Sequence, residues 1–119
     1  MKTLIAVVGT TCLLAQAASA AEPTLIEKGR AQFQYSCAPC HGPGKGMGNR
    51  PFLPGTDALN VKYQGTQPPL LEDRTNLTRD VIRYFVRNGI ESMPSFRKTE
   101  LGDAELDAIA AYLTRNNKQ

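Results

Sequence analysis

The chain has no tryptophan and a single histidine, His41, among its 119 residues. Its only cysteines are Cys12, Cys37 and Cys40. So few thiols exclude a disulfide-dense scaffold, and one imidazole excludes any centre that needs two. Net charge is low as well. The 14 basic and 11 acidic residues leave +3, too weak and too mixed for a nucleic-acid surface. Beyond the first twenty residues no apolar run is long enough to cross a bilayer.

Residues 1–20, MKTLIAVVGTTCLLAQAASA, read as a cleaved secretory signal peptide. Lys2 gives the positive start, Leu4 to Ala15 the short apolar core, and Ala18-Ser19-Ala20 the small residues of a cleavage site. A retained anchor or a buried N-terminal helix is the competing reading. Cleavage removes Cys12 and leaves one domain, residues 21–119. That domain keeps 13 of the 14 basic residues and all 11 acidic ones, so its side chains sum to +2. About 99 residues bury little apolar area unaided and often depend on a staple or a cofactor. The segment from Gly42 to Thr56 sharpens the point: five glycines and three prolines predict no regular element of any length there.

The two remaining cysteines fall in Cys37-Ala38-Pro39-Cys40-His41. Cys-x-x-Cys-His is the attachment pattern of a c-type haem. Two thiols three residues apart on one turn can add to two vinyl groups on the same porphyrin edge. The adjoining His41 then lies under the iron as proximal ligand. One covalent haem c is therefore expected. Two other readings stay open on the motif alone. A Cys37–Cys40 disulfide would close a loop of a few residues and stabilise little. A thioredoxin-like redox pair would need strands on both sides of the motif, and none is suggested by the pattern.

Periodicity predicts an all-α domain. Thr24 and Glu27 form a capping box ahead of a helix over Leu25–Ser36, with Leu25, Gly29 and Phe33 along one side. A second clear helix starts near Thr78, ends at Asn88-Gly89, and turns Val81, Ile82, Phe85 and Val86 inward. A third starts at Asp103, with Gly102 as an alternative cap, and carries Leu106, Ile109, Ala110 and Leu113 on one face. Pro68 to Glu72 can form a short helix.

With these residues in place, the domain resembles a class I c-type cytochrome along nearly its whole length: a small all-α fold wrapped around one haem. The resemblance implies that Gly29 and Phe33 cross the last helix at Tyr112 and Leu113. It also implies that Pro51 accepts a hydrogen bond from His41 through its carbonyl, and that Leu53 packs on the haem face. The family places its axial methionine before a proline, as in Met93-Pro94. Met93 follows His41 by 52 residues with a helix between, enough chain to reach the far side of the ring. Methionine is a soft neutral ligand that raises the reduction potential relative to a second histidine. Met47, six residues after His41, is the rival. Iron held by His41 and Met93 has no open position, so a periplasmic electron carrier is expected rather than an enzyme. A haem enzyme or gas sensor would need Met93 displaced.

The stretch from Val86 to Arg97 is similar to the methionine loop of cytochrome subunits serving flavin-dependent dehydrogenases of alkylphenols. That likeness implies a flavoprotein donor, with a downstream cytochrome or oxidase as acceptor. Arg97, Lys98 and the Arg79/Arg83/Arg87 stripe are candidate docking charges, and Phe96 and Ile90 candidate apolar contacts. The stripe reads equally as a solvated face or as partners for the haem propionates, for which Lys62 and Tyr63 are also candidates.

Overall fold

The structure is a computed structural model that describes residues 22–118. The expected signal peptide lies outside the described residues. Among the described residues five helices follow in order: α1 (Leu25–Ser36), α2 (Ala38–His41), α3 (Pro54–Tyr63), α4 (Arg79–Asn88) and α5 (Asp103–Leu113). Two 3-10 turns, Met47–Asn49 and Leu71–Asp73, interrupt the connections. No strand forms among the described residues; one antiparallel bridge joins Ile90 to Met93.

The domain is organised by the crossing of α1 and α5. Helix α1 begins with the expected box: Glu27 N–H donates to Thr24 Oγ1 at 3.2 Å, and Thr24 N–H donates to the Glu27 carboxylate at 2.7 Å. At the crossing, a Cβ placed on Gly29 would lie 1.9 Å from the Ala108 carbonyl oxygen. Only glycine lets the two backbones meet this closely. One turn on, fully buried Phe33 meets Tyr112 with ring centroids 5.8 Å apart. Leu101, Leu106 and Ile109, each 1% exposed, complete the core. Leu25 departs from the expected side and is exposed, because the contact with α5 is centred on Gly29 and Phe33.

Helix α4 is capped by Thr78 Oγ1, which accepts from Val81 N–H at 3.2 Å. It buries Ile82 and Val86 and half-buries Phe85, whereas Val81 faces out. Two of the three arginines on α4 reach across to α5, whereas Arg79 is exposed and makes no ion pair with a described residue. Arg83 pairs with Asp107, and Arg87 pairs with Asp103 at 2.8 Å, so these two clamp α4 to α5. Helix α5 starts at Asp103 with Gly102 as its cap, whose N–H donates to Glu105 at 2.7 Å.

Helix α3 departs most from the sequence reading. It begins inside the stretch expected to hold no regular element. Pro54 occupies its first position, where the missing N–H costs nothing and φ is already helical. The glycine-rich segment before it has ties of its own. Gly46 N–H donates to Arg50 O at 3.1 Å, and Arg50 pairs with Asp57 at 3.0 Å. Fully buried Thr56 donates its hydroxyl to Gly42 O at 3.2 Å.

Candidate haem site

Helix α1 hands the chain directly to the motif. Cys37 N–H donates to Phe33 O at 2.8 Å, which closes α1. Its own carbonyl then accepts from Cys40 N–H at 3.1 Å and His41 N–H at 2.9 Å. That turn sets the two sulfurs one helical turn apart, with His41 following directly. Cys37 is half-buried, Cys40 is exposed, and both are free thiols. Burial, with Cys40 close by, pushes the Cys37 thiol up to about 11. A dithiol redox centre works by the opposite shift, a lowered thiol pKa.

His41 is held neutral by burial, which lowers its pKa. Its Nδ1 is buried and has no hydrogen-bond partner. The hydrogen bond expected from the ring to the Pro51 carbonyl is therefore not made. Pro51 is exposed, and the backbone at Gly55 lies against this edge of the ring instead. A Cβ on Gly55 would stand 2.8 Å from His41 Cε1, 2.9 Å from Nδ1 and 2.9 Å from Cys40 O. Leu53 is half-buried and packs over Gly44.

Met93 comes to the same region from the other end of the chain. Gly89 ends α4 with φ of +70°, and a side chain there would strike Met93 O at 2.6 Å. Paired hydrogen bonds then join Ile90 and Met93, at 3.1 Å and 2.8 Å. Phe96 N–H donates to Val86 O at 2.8 Å, and Arg87 Nη1 donates to Phe96 O at 3.0 Å and Leu101 O at 2.8 Å. Met93 is half-buried and packs against the apolar cluster that Cys37 and Ala38 also border. Met47 stands 94% exposed on its 3-10 turn.

The donor set suits a haem. It comprises two thiols one turn apart, a half-buried neutral imidazole with an unshared nitrogen, and a thioether on the apolar cluster that Cys37 also borders. Among the described residues no three His, Cys, Asp or Glu side chains converge as a bare metal ion would require. Gly55, Thr56 and Arg74 also belong to this half of the molecule, and the sequence reading missed them. Pro54 at a helix start is the one signal that could have exposed Gly55 and Thr56. Nothing local to Arg74 in the sequence marks it.

An all-helical domain with this motif at the end of its first helix defines a c-type cytochrome domain. The chain belongs to the family described as cytochrome c oxidase, cbb3-type, subunit III, whose model matches residues 24–113. The family binds haem c. A cbb3-type cytochrome c oxidase subunit CcoP from Helicobacter pylori (strain 52) is 28% identical over 93 residues. That alignment covers 76% of this chain but 28% of the relative's length. No helix among the described residues is long and apolar enough to cross a membrane.

Proposed function

We propose that this chain is an exported, periplasmic electron carrier with one haem c, attached through Cys37 and Cys40 and ligated by His41 and Met93. The observation that carries this reading is the shared apolar cluster. Cys37 and Ala38 border it from one end of the chain and Met93 from the other. The bound haem supplies one-electron redox chemistry; the protein supplies attachment, ligands and exclusion of water. Burial keeps His41 deprotonated and available as a donor, and the Gly55 backbone holds its ring in place. The Ile90–Met93 bridge and the Arg87 hydrogen bonds hold the thioether in the cluster. Leu53, half-buried over Gly44, would pack on the haem face. Two protein ligands leave no coordination position for a substrate.

Two partners of different kinds follow from two likenesses. The relative's name, a subunit of a cbb3-type oxidase, favours a terminal oxidase as acceptor. The methionine loop favours a flavin-dependent dehydrogenase as donor. Docking charge at that loop is compensated within the chain, since Arg97 pairs with Glu100 at 2.9 Å and Lys98 with Asp103 at 2.7 Å. Exposed Cys40 and Ile90 leave an apolar contact as the entry for electrons.

Mass spectrometry tests the attachment: the cleaved polypeptide should carry one added haem that acidic acetone does not extract. The oxidised protein should show a weak sulfur-to-iron charge-transfer band, lost in Met93→Ala and kept in Met47→Ala. The reverse pattern would overturn the ligand assignment. Carbon monoxide should leave the reduced spectrum unchanged; a rapid change would favour a gas-binding site with a displaceable methionine. Co-elution from the native periplasm with a flavin-carrying polypeptide would decide for the dehydrogenase as donor.

A further inference from the structure

The face around the attachment motif carries almost no free charge. No Lys, Arg, Asp or Glu occurs from Ala31 to Gly44, the stretch that holds Cys37, Cys40 and neutral His41. The loop that brings Met93 to this region, between α4 and α5, holds four charged residues: Glu91, Arg97, Lys98 and Glu100. Arg97 gives both its guanidinium and its backbone N–H to Glu100, each at 2.9 Å. Lys98 reaches Asp103 at 2.7 Å, and Arg87 holds the same carboxylate. Glu91 is exposed and makes no ion pair with a described residue. Three cations on two carboxylates leave one surplus positive charge at the start of α5. The surplus negative charge stands at Glu91, in the turn that carries Met93.

Glu91 also holds its place against the preference of the backbone. The paired hydrogen bonds between Ile90 and Met93 put Glu91 and Ser92 at the tip of a tight turn, and Glu91 takes φ of +51°. Glycine enters that left-handed region freely, whereas a side chain costs energy there. Strain of this kind gathers at functional sites, where the surrounding structure enforces it. Beside the turn lies a cleft of about 540 Å³. Tyr35 and Ser36, at the end of α1, form one wall; Pro94, Ser95 and Phe96 form the other. The turn folds back on the second wall, since a Cβ on Gly89 would stand 2.9 Å from Ser95 N and 3.1 Å from Pro94 C. Tyr35 is 83% exposed, the most exposed aromatic ring among the described residues, and Cys37 follows two residues on. Exposed rings gathered in a cleft mark a contact surface.

Charge at a contact steers encounter and selects the partner more than it sets affinity. Arg97 and Lys98 are engaged by carboxylates of their own chain, whereas Glu91 has none of its own to answer. We propose that the redox partner seats an apolar side chain in the cleft between Tyr35 and Phe96 and sets a lysine or arginine against Glu91. The partner that fits this face is basic and apolar at its contact rather than acidic. This inference rests on the haem reading above, because only an attached haem makes the face an entry for electrons.

The test uses holoprotein of the parent, Glu91→Gln, Glu91→Gly, Lys98→Gln and Tyr35→Ser. Mass spectrometry first establishes the covalent haem in the parent; its absence there would sink the haem reading itself, separately from this inference. Small reagents then exchange one electron with the haem. Hexaammineruthenium(II) gives one to the ferric protein; tris(phenanthroline)cobalt(III) and ferricyanide each take one from the ferrous protein. The ruthenium and cobalt complexes are cations, the cobalt complex is also clad in aromatic rings, and ferricyanide is an anion. At low ionic strength Glu91→Gln should slow both cations about twofold or more and speed ferricyanide by a similar factor, and added salt should erase the differences. Tyr35→Ser should slow the cobalt complex alone; an unaffected cobalt rate would remove the cleft from the contact. Glu91→Gly removes the charge and suits the turn, so it should repeat the Glu91→Gln rates with the methionine charge-transfer band intact, and it decides the matter if glutamine disturbs the loop. Cation rates unchanged in both Glu91 variants would reduce Glu91 to a turn residue and overturn the proposal. If those rates hold while Lys98→Gln slows ferricyanide, the partner is acidic and docks at the start of α5 instead.

Discussion

Where α1 crosses α5 the contact is dry and self-sufficient: Phe33 is fully buried against Tyr112, and the backbones at Gly29 and Ala108 touch. The half built from Cys37 to Arg74 is put together differently. There, among the described residues, His41 Nδ1 is buried without a partner and buried Arg74 has no carboxylate at ion-pair distance, and Cys40 faces outward. The first half rests on packing; in the second, His41 turns Nδ1 to the Gly55 backbone, which leaves its other ring nitrogen for a ligand. The comparison separates the part that folds the chain from the part where the proposed haem would attach. The crossing needs only apolar side chains and one glycine.

The sharpest way to break the comparison is Gly29→Ala. Alanine is the better helix former, so propensity alone would stabilise α1. The added Cβ meets a backbone oxygen instead, and we expect a loss of about 3 kcal/mol in denaturant unfolding. An unchanged midpoint would mean the helices can part without penalty. Arg87→Met comes next. It keeps the stem but removes donors to Phe96 O, Leu101 O and Asp103, at a cost of about 2 kcal/mol. The Met93 charge-transfer band should broaden or weaken with it, because those carbonyls belong to the methionine loop.

Thr56→Val addresses the other half. It deletes the hydroxyl that ties α3 to Gly42 O while preserving shape, and should cost about 1 kcal/mol. The loss should be larger in apoprotein than in holoprotein if the haem also braces this segment; equal losses would mean the segment holds itself. The smallest effect concerns acid. Hydrogen bonds from Lys98 and Arg87 keep the Asp103 carboxyl below its usual range. A carboxyl with a lower pKa when folded stabilises the fold fully above its unfolded value, and that contribution disappears as pH falls through the folded value. Asp103→Asn should therefore cost a modest, salt-sensitive amount of stability at all pH values above about 4, and that deficit should vanish in more acid solution.

The sequence by itself determined what depends on short-range pattern. Cys37, Cys40 and His41 are adjacent, so their chemistry is readable without a fold. The Thr24–Glu27 box, the Thr78 cap and the Gly89 stop are local hydrogen-bond and dihedral requirements, and each helix they bound forms as the pattern predicts. Gly29 and Phe33 were legible through their resemblance to a known crossing, and the crossing is there. Helix α3 was not legible, because its prolines and glycine read as breakers until Pro54 is seen at a helix's first position, where it serves as a starter. Arg87 and Arg83 could not be assigned from their spacing. Their partners, Asp103 and Asp107, lie 16 and 24 residues away, and only the packing of α4 on α5 decides that those charges are consumed inside the fold. Arg74 shows the limit most clearly. Its burial and its stacking on the Tyr63 ring, with no carboxylate at ion-pair distance among the described residues, are set by segments meeting in space, and a charge in a sequence says nothing of such surroundings.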